Sequence, residues 1–138
     1  MLSAEIVRDL FMARLQPPGF VLDSYMAFTD RYDIVQNEEQ GLNRVDVFGL
    51  PSTARLIPGG VSLTVTIGRR HVKRIGADTR LHRMNVPGLG SVRVWKSDGD
   101  DTANPDYAKF NVYMTDNASR ELVEAVVERI AGAMLAGV

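Results

Sequence analysis

The fifteen residues from Arg69 to Arg83 hold six of the chain's sixteen cations and both of its histidines. Arg69, Arg70, His71, Lys73, Arg74, Arg80, His82 and Arg83 would together make a docking surface for an anion. That anion could be a phosphate, a nucleic acid or an acidic protein face. Arginine suits the role because its planar fork holds a carboxylate or phosphate through two parallel bonds. The plainer account is a solvated strand end whose charges pair with nearby acids. The run contains no aromatic residue, so bases would find no platform to stack on. Nucleic-acid binding through residues 69–83 therefore ranks below the other uses.

Other residues suggest weaker chemistry. Either His71 or His82 could serve as a general base, yet the nearest acid in sequence is Asp78 and no nucleophile elbow is present. Two histidines are too few for a zinc site. The stretch Asp98-Gly99-Asp100-Asp101-Thr102-Ala103-Asn104-Pro105-Asp106 is rich in oxygen ligands for calcium. Its spacing departs from the EF-hand loop, with Ala103 at the glycine position and Lys109 at the glutamate position, so a hydrophilic loop tip is the simpler reading. Ile57-Pro58-Gly59-Gly60 and Pro87-Gly88-Leu89-Gly90 lack the strand–loop–helix order that cradles phosphate. No catalytic residue, cofactor or metal is expected. Trp95 is a candidate interface anchor, against the plainer roles of core or edge cover.

Composition narrows the classes further. The chain has 138 residues, 16 basic and 17 acidic, and is 45% hydrophobic, which suits one globular domain of near-neutral charge. There is no cysteine, so disulfides and thiolate chemistry are absent, in keeping with a cytoplasmic setting. Acidic Glu5 and Asp9 near the start do not read as a signal peptide. No apolar run reaches the roughly 20 residues of a membrane span. Arginine outnumbers lysine thirteen to three, a usage that suggests a GC-rich bacterial or phage genome.

These residues need elements to position them. Ile6, Val7, Leu10, Phe11 and Leu15 predict a helix over 3–16, capped by Ser3, with Arg8 and Arg14 on or near its other face. Pro17-Pro18-Gly19 ends it. The period then drops to two. Phe20, Leu22, Met26 and Phe28 alternate along a first strand, with a turn at Thr29-Asp30 into Arg31–Gln36. A third strand runs from Leu42 to Phe48, and residues 49–60 read as a loop. Val61 to Ile67 alternates without a break, one face buried and one wet. Residues 68–90 are ambiguous: Val72 and Ile75 fit either an extended strand or a short helical turn, and Asn85–Gly90 reads as loop. Ser91–Lys96 and Tyr107–Thr115 are strands. A last helix, capped by Asp116 or Asn117, carries Leu122, Val123, Val126, Val127, Ile130 and Met134 and stops near Gly137.

Helix, about six strands, then helix predicts one α+β domain over residues 1–138. Its mostly antiparallel sheet would have both helices packed on one face. The other face and the edges would stay open to a partner. Tyr25, Tyr32, Tyr107, Tyr113 and Trp95 are too many to bury easily, and such residues are common at interfaces. The leading expectation is a non-catalytic protein-binding or assembly module, with a protein partner or a homo-oligomer. In layout alone it looks like small bacterial adaptor, chaperone or toxin-immunity domains. The alternative is a small-molecule binder or hydrolase-like enzyme with a pocket between sheet and helices.

Overall fold

A computed structural model describes residues 2–26, 30–51, 59–97 and 104–136. Helix α1 spans Ala4–Leu15. Ser3 caps it, its Oγ accepting from the Ile6 amide at 3.2 Å, and Glu5 sits in the first turn, where the helix dipole favours a carboxylate. Val7, Phe11 and Leu15 recur every four residues and are fully buried. Arg8 does not point away from the core side as its spacing predicts. Its guanidinium lies 4.7 Å from the centre of the Tyr32 ring, where the aliphatic stem covers apolar surface and the cation meets the ring face.

The strands are β1 (Val21–Met26), β2 (Arg31–Val35), β3 (Arg44–Leu50), β4 (Gly60–Gly68), β5 (Ala77–Asp78), β6 (Arg83–Val86), β7 (Gly90–Lys96) and β8 (Tyr107–Thr115). They form one antiparallel sheet in the order β1-β2-β3-β4-β8-β7-β6-β5. Two four-stranded meanders thus meet along β4 and β8. The expected count of about six is corrected to eight among the described residues. The two extra strands lie in the ambiguous segment, where a 3₁₀ helix, Arg69–Arg74, precedes them. Only Met84 and Val86 of β6 face the core, and Pro87 and Gly88 follow at once. Two buried residues are too few for alternation to stand out. Asn85 and Val86 therefore belong to a strand, not to a loop.

The alternation of β4 holds throughout. Val61, Leu63, Val65 and Ile67 are buried and stand beside Val47 and Val45 on one side and Met114, Val112 and Phe110 on the other. Helix α2 (Arg120–Leu135) lays Leu122, Val123, Val126, Val127, Ile130 and Met134 into the same core. The two helices touch each other as well as the sheet, joined at the rim by Arg14 Nε to Glu128 Oε2 at 2.7 Å. Each buried aliphatic side chain contributes about 1.5–3 kcal/mol. The cap of α2 is Ser119, whose Oγ accepts from the Leu122 amide at 3.1 Å, not Asp116 or Asn117. A turn closed by Ala118 N to Thr115 O occupies those two residues, so Ser119 is the first residue free to cap. The stop predicted at Gly137 lies outside the described residues, as do Phe28 and Thr29.

The first strand departs from its predicted pattern. Phe20 is buried, but Leu22, the register partner of buried Ile34, is 41% exposed on the edge strand; beyond it a bulge between Leu22 and Ser24 shifts the register against β2, so that Tyr25 pairs with buried Tyr32. One added residue reverses which side chains face inward. Among the described residues, no helix is long and apolar enough to cross a membrane.

Gly132 sits in the interior of α2, and a methyl group there would meet nothing within 4 Å. Gly132→Ala is expected to stabilise the fold by roughly 0.5–1 kcal/mol, because alanine has less chain entropy to lose in a helix. Thermal unfolding followed by circular dichroism checks this, and a lowered midpoint would mean that the space is filled.

Candidate functional site

Where the β2–β3 turn meets the ends of β4 and β8, the chain encloses a cleft of about 700 Å³. That is within the size range of small-molecule sites. Gln36, Gln40 and Asn43 line it from the turn, Arg69, Arg70 and His71 from the 3₁₀ helix, Asp106 and Tyr107 from the approach to β8, and Met134 from α2. Gln36 is only 5% exposed. Its Oε1 accepts from Asn43 N at 3.2 Å and Asn43 Nδ2 at 2.9 Å. Asn43 Oδ1 in turn accepts from the Gly68 amide at 2.9 Å. Two buried carboxamides thereby tie the turn to the end of β4. Tyr107 Oη accepts from Leu42 N at 2.9 Å and ties the turn to β8.

The cationic side of the cleft is held just as firmly. Arg69 donates from Nε to Pro105 O at 3.0 Å and from Nη2 to Tyr107 O at 2.8 Å. Arg70 donates from Nε to His71 Nε2 at 3.1 Å. That bond requires a lone pair on Nε2. Partial burial, then the neighbouring cations Arg70 and Arg74, hold the imidazole below its ordinary value, so it is neutral at pH 7.

The basic segment is therefore divided. Arg69, Arg70 and His71 converge on the cleft, whereas Lys73 and Arg74 are exposed further along the 3₁₀ helix. Gly76, at φ +74°, turns the chain out toward the far edge. There Arg80 pairs with Asp78 at 3.4 Å, and His82 is exposed at φ +53°. Arg83 pairs in register with Arg93. Of the eight residues, Arg69, Arg70 and His71 line the cleft and the other five do not. Among the described residues, neither histidine bonds to a carboxylate, and no cluster of metal-ligating side chains occurs. Asp98 to Ala103 of the acidic loop lie outside the described residues, and Asn104 Oδ1 accepts from the Asp106 amide at 3.0 Å, as a turn does.

The sheet face away from the helices carries a second polar group that spacing did not single out. Asp33 and Asp46 are register partners on β2 and β3 and are 6% and 5% exposed. Arg31 Nε lies 2.6 Å from Asp33 Oδ1, and Arg44 Nη2 lies 2.7 Å from Asp46 Oδ1. Cross pairs at 3.7 Å and 3.5 Å close the square. Burial, and then a hydrogen bond with Asp33, raise the Asp46 carboxyl above its ordinary value against the pull of Arg44. Burial opposes the charge on Arg44, but Asp46 and Asp33 more than offset it. The repeated Arg-x-Asp of Arg31-Tyr32-Asp33 and Arg44-Val45-Asp46 is the sequence signal for this square. Trp95 stands half-buried on the same face, in register with Asn111, and Asn111 Oδ1 accepts from Thr64 Oγ1 at 2.9 Å.

No family model, curated protein or solved structure matches the chain.

Proposed function

We propose that the protein is a non-catalytic binding module that takes up an extended segment of a protein partner along β1. The observation that supports this is the edge strand itself. Among the described residues, strand β1 pairs only with β2, and Val21, Leu22 and Tyr25 on it are 53%, 41% and 53% exposed. An edge with free backbone groups and apolar side chains is a template for a further strand. The opposite edge is blunted, since β5 is only two residues long. The Tyr25 ring stacks on buried Tyr32 with centroids 4.6 Å apart, which gives a partner a rigid aromatic surface. The bulge beside Asp23 interrupts the ladder. Such kinks keep an edge from pairing indiscriminately, so the partner strand must match it.

A photo-crosslinking residue at position 22 tests this against one at position 89, because Leu22 and Leu89 are equally exposed, at 41%. Position 22 is expected to give one discrete adduct in the native host, and the purified partner should slow amide exchange along β1. A self-adduct identifies the partner as a second copy. No adduct, or equal adducts from both positions, overturns the proposal.

A further inference from the structure

We infer that the cleft between the β2–β3 turn and the 3₁₀ helix binds a small molecule through a carboxylate or phosphate group. The site is distinct from the β1 edge. Its charge favours an anion: among the described residues that line it, Arg69 and Arg70 stand against the carboxylate of Asp106, and His71 supplies no further charge of either sign. Its donors are not exhausted. The bonds of Arg69 engage Nε and Nη2, leaving Nη1. The bond of Arg70 engages Nε alone, leaving both terminal nitrogens. Gln36 adds a deeper donor. Its Oε1 is taken twice by Asn43, which fixes the carboxamide's orientation, and Nε2 has no acceptor among the described residues. Among the described residues no buried side-chain nitrogen or oxygen lacks a partner, so this amide opens into the cleft that Gln36 lines.

The arrangement is preorganised. The carbonyls of Pro105 and Tyr107 anchor Arg69, and the chain Gln36–Asn43–Gly68 fixes the floor. A ligand therefore orders few side chains on binding. An oxyanion at the mouth meets guanidinium donors in a matching plane. Met134 and Pro105 give its carbon body an apolar wall. A cleft of this volume admits a metabolite-sized anion and not a folded partner.

The test is a titration of isotope-labelled full-length protein with inorganic phosphate and, separately, with succinate, read by NMR of the Gln36 side-chain amide and the Arg70 guanidinium. Saturable shifts at both groups are expected from at least one probe. Phosphate alone, succinate alone or both then identifies the preferred oxyanion. Arg70→Gln alters an exposed residue and should weaken binding about tenfold. Gln36→Glu keeps the acceptor for Asn43 but places a negative charge in the floor, and it should abolish binding. Arg74→Gln removes an equal charge outside the cleft and should change affinity less than about twofold. Three results would overturn the inference: no saturation by either probe up to roughly 10 mM, an affinity unchanged in Arg70→Gln, or an equal loss in Arg74→Gln, which would show a diffuse basic patch.

Discussion

Gly60→Ala is expected to destabilise the protein by about 3 kcal/mol, the upper end of the usual overpacking range, and to lower its melting temperature by roughly 10 °C. Gly60 opens β4 and pairs with both Leu50 and Thr115. A Cβ placed on it overlaps the carbonyl oxygen of Met114 and lies 3.1 Å from the Met114 carbonyl carbon. Both are backbone atoms of β8, so relief requires moving one strand off its neighbour. Gly49 is the instructive contrast. The three atoms nearest a methyl group there all belong to the side chain of Asp30, which is exposed and can rotate its carboxylate aside, so Gly49→Ala serves as the milder control. Chemical denaturation of both variants checks the expectation. Equal stability for Gly60→Ala and wild type would mean that β4 and β8 do not approach as closely as described.

The second large effect comes from the Arg31–Asp33–Arg44–Asp46 square, where two substitutions are expected to act in opposite directions. Arg44→Met takes from buried Asp46 its closest cation, at 2.7 Å, and leaves it Arg31 at 3.7 Å. Stranding buried carboxylates in this way costs on the order of 2–3 kcal/mol, discounted from the value for a fully buried pair because the arginine is partly solvated. Asp46→Asn should instead raise the melting temperature at pH 7. The folded state holds the Asp46 proton to higher pH than the unfolded chain does. The stability tied to that proton is present below the ordinary aspartate value of about 3.9 and is lost as pH rises through the raised folded value. Asparagine is neutral throughout and still offers Arg44 a carbonyl acceptor. The variant should therefore match wild type near pH 4 and exceed it at pH 7. Melting curves across that window decide the matter, and a lower midpoint for Asp46→Asn at pH 7 would show that the ionised carboxylate is a net stabiliser.

The sequence showed those parts of the fold in which a pattern repeats. Val61 to Ile67 could be placed because four alternate side chains enter the core in succession. The helices could be placed because their stripes run for three turns or more. Strand β6 was hidden because its burial amounts to Met84 and Val86, and β1 was misread because a single bulged residue inverts the alternation after it. The cap moved to Ser119 because a turn at Asp116 and Asn117 competes for the same residues. The cleft was half legible. Arg69, Arg70 and His71 were visible as a charge run, but Gln36 and Asn43 are neutral amides seven residues apart. Only the pairing of β2 with β3 sets them side by side. The carboxyl pair depends on the same register, since Asp33 and Asp46 are thirteen positions apart in the chain and opposite one another in the sheet.

The join between β4 and β8 has a consequence for how the molecule comes together. Neighbouring strands within each meander follow one another directly in the chain, so either ribbon can assemble from contacts closer along the chain than those of the join. The join instead brings Val61 to Met114 and Val65 to Phe110, and closing so long a loop carries an entropic penalty before any contact rewards it. Helix α2 cannot find its full seat until that loop has closed, because it packs on β4 of one ribbon and β6 of the other, whereas α1 sits on β1, β2 and β3 of the first. The slow, committing step in the life of this chain is therefore the meeting of its two halves.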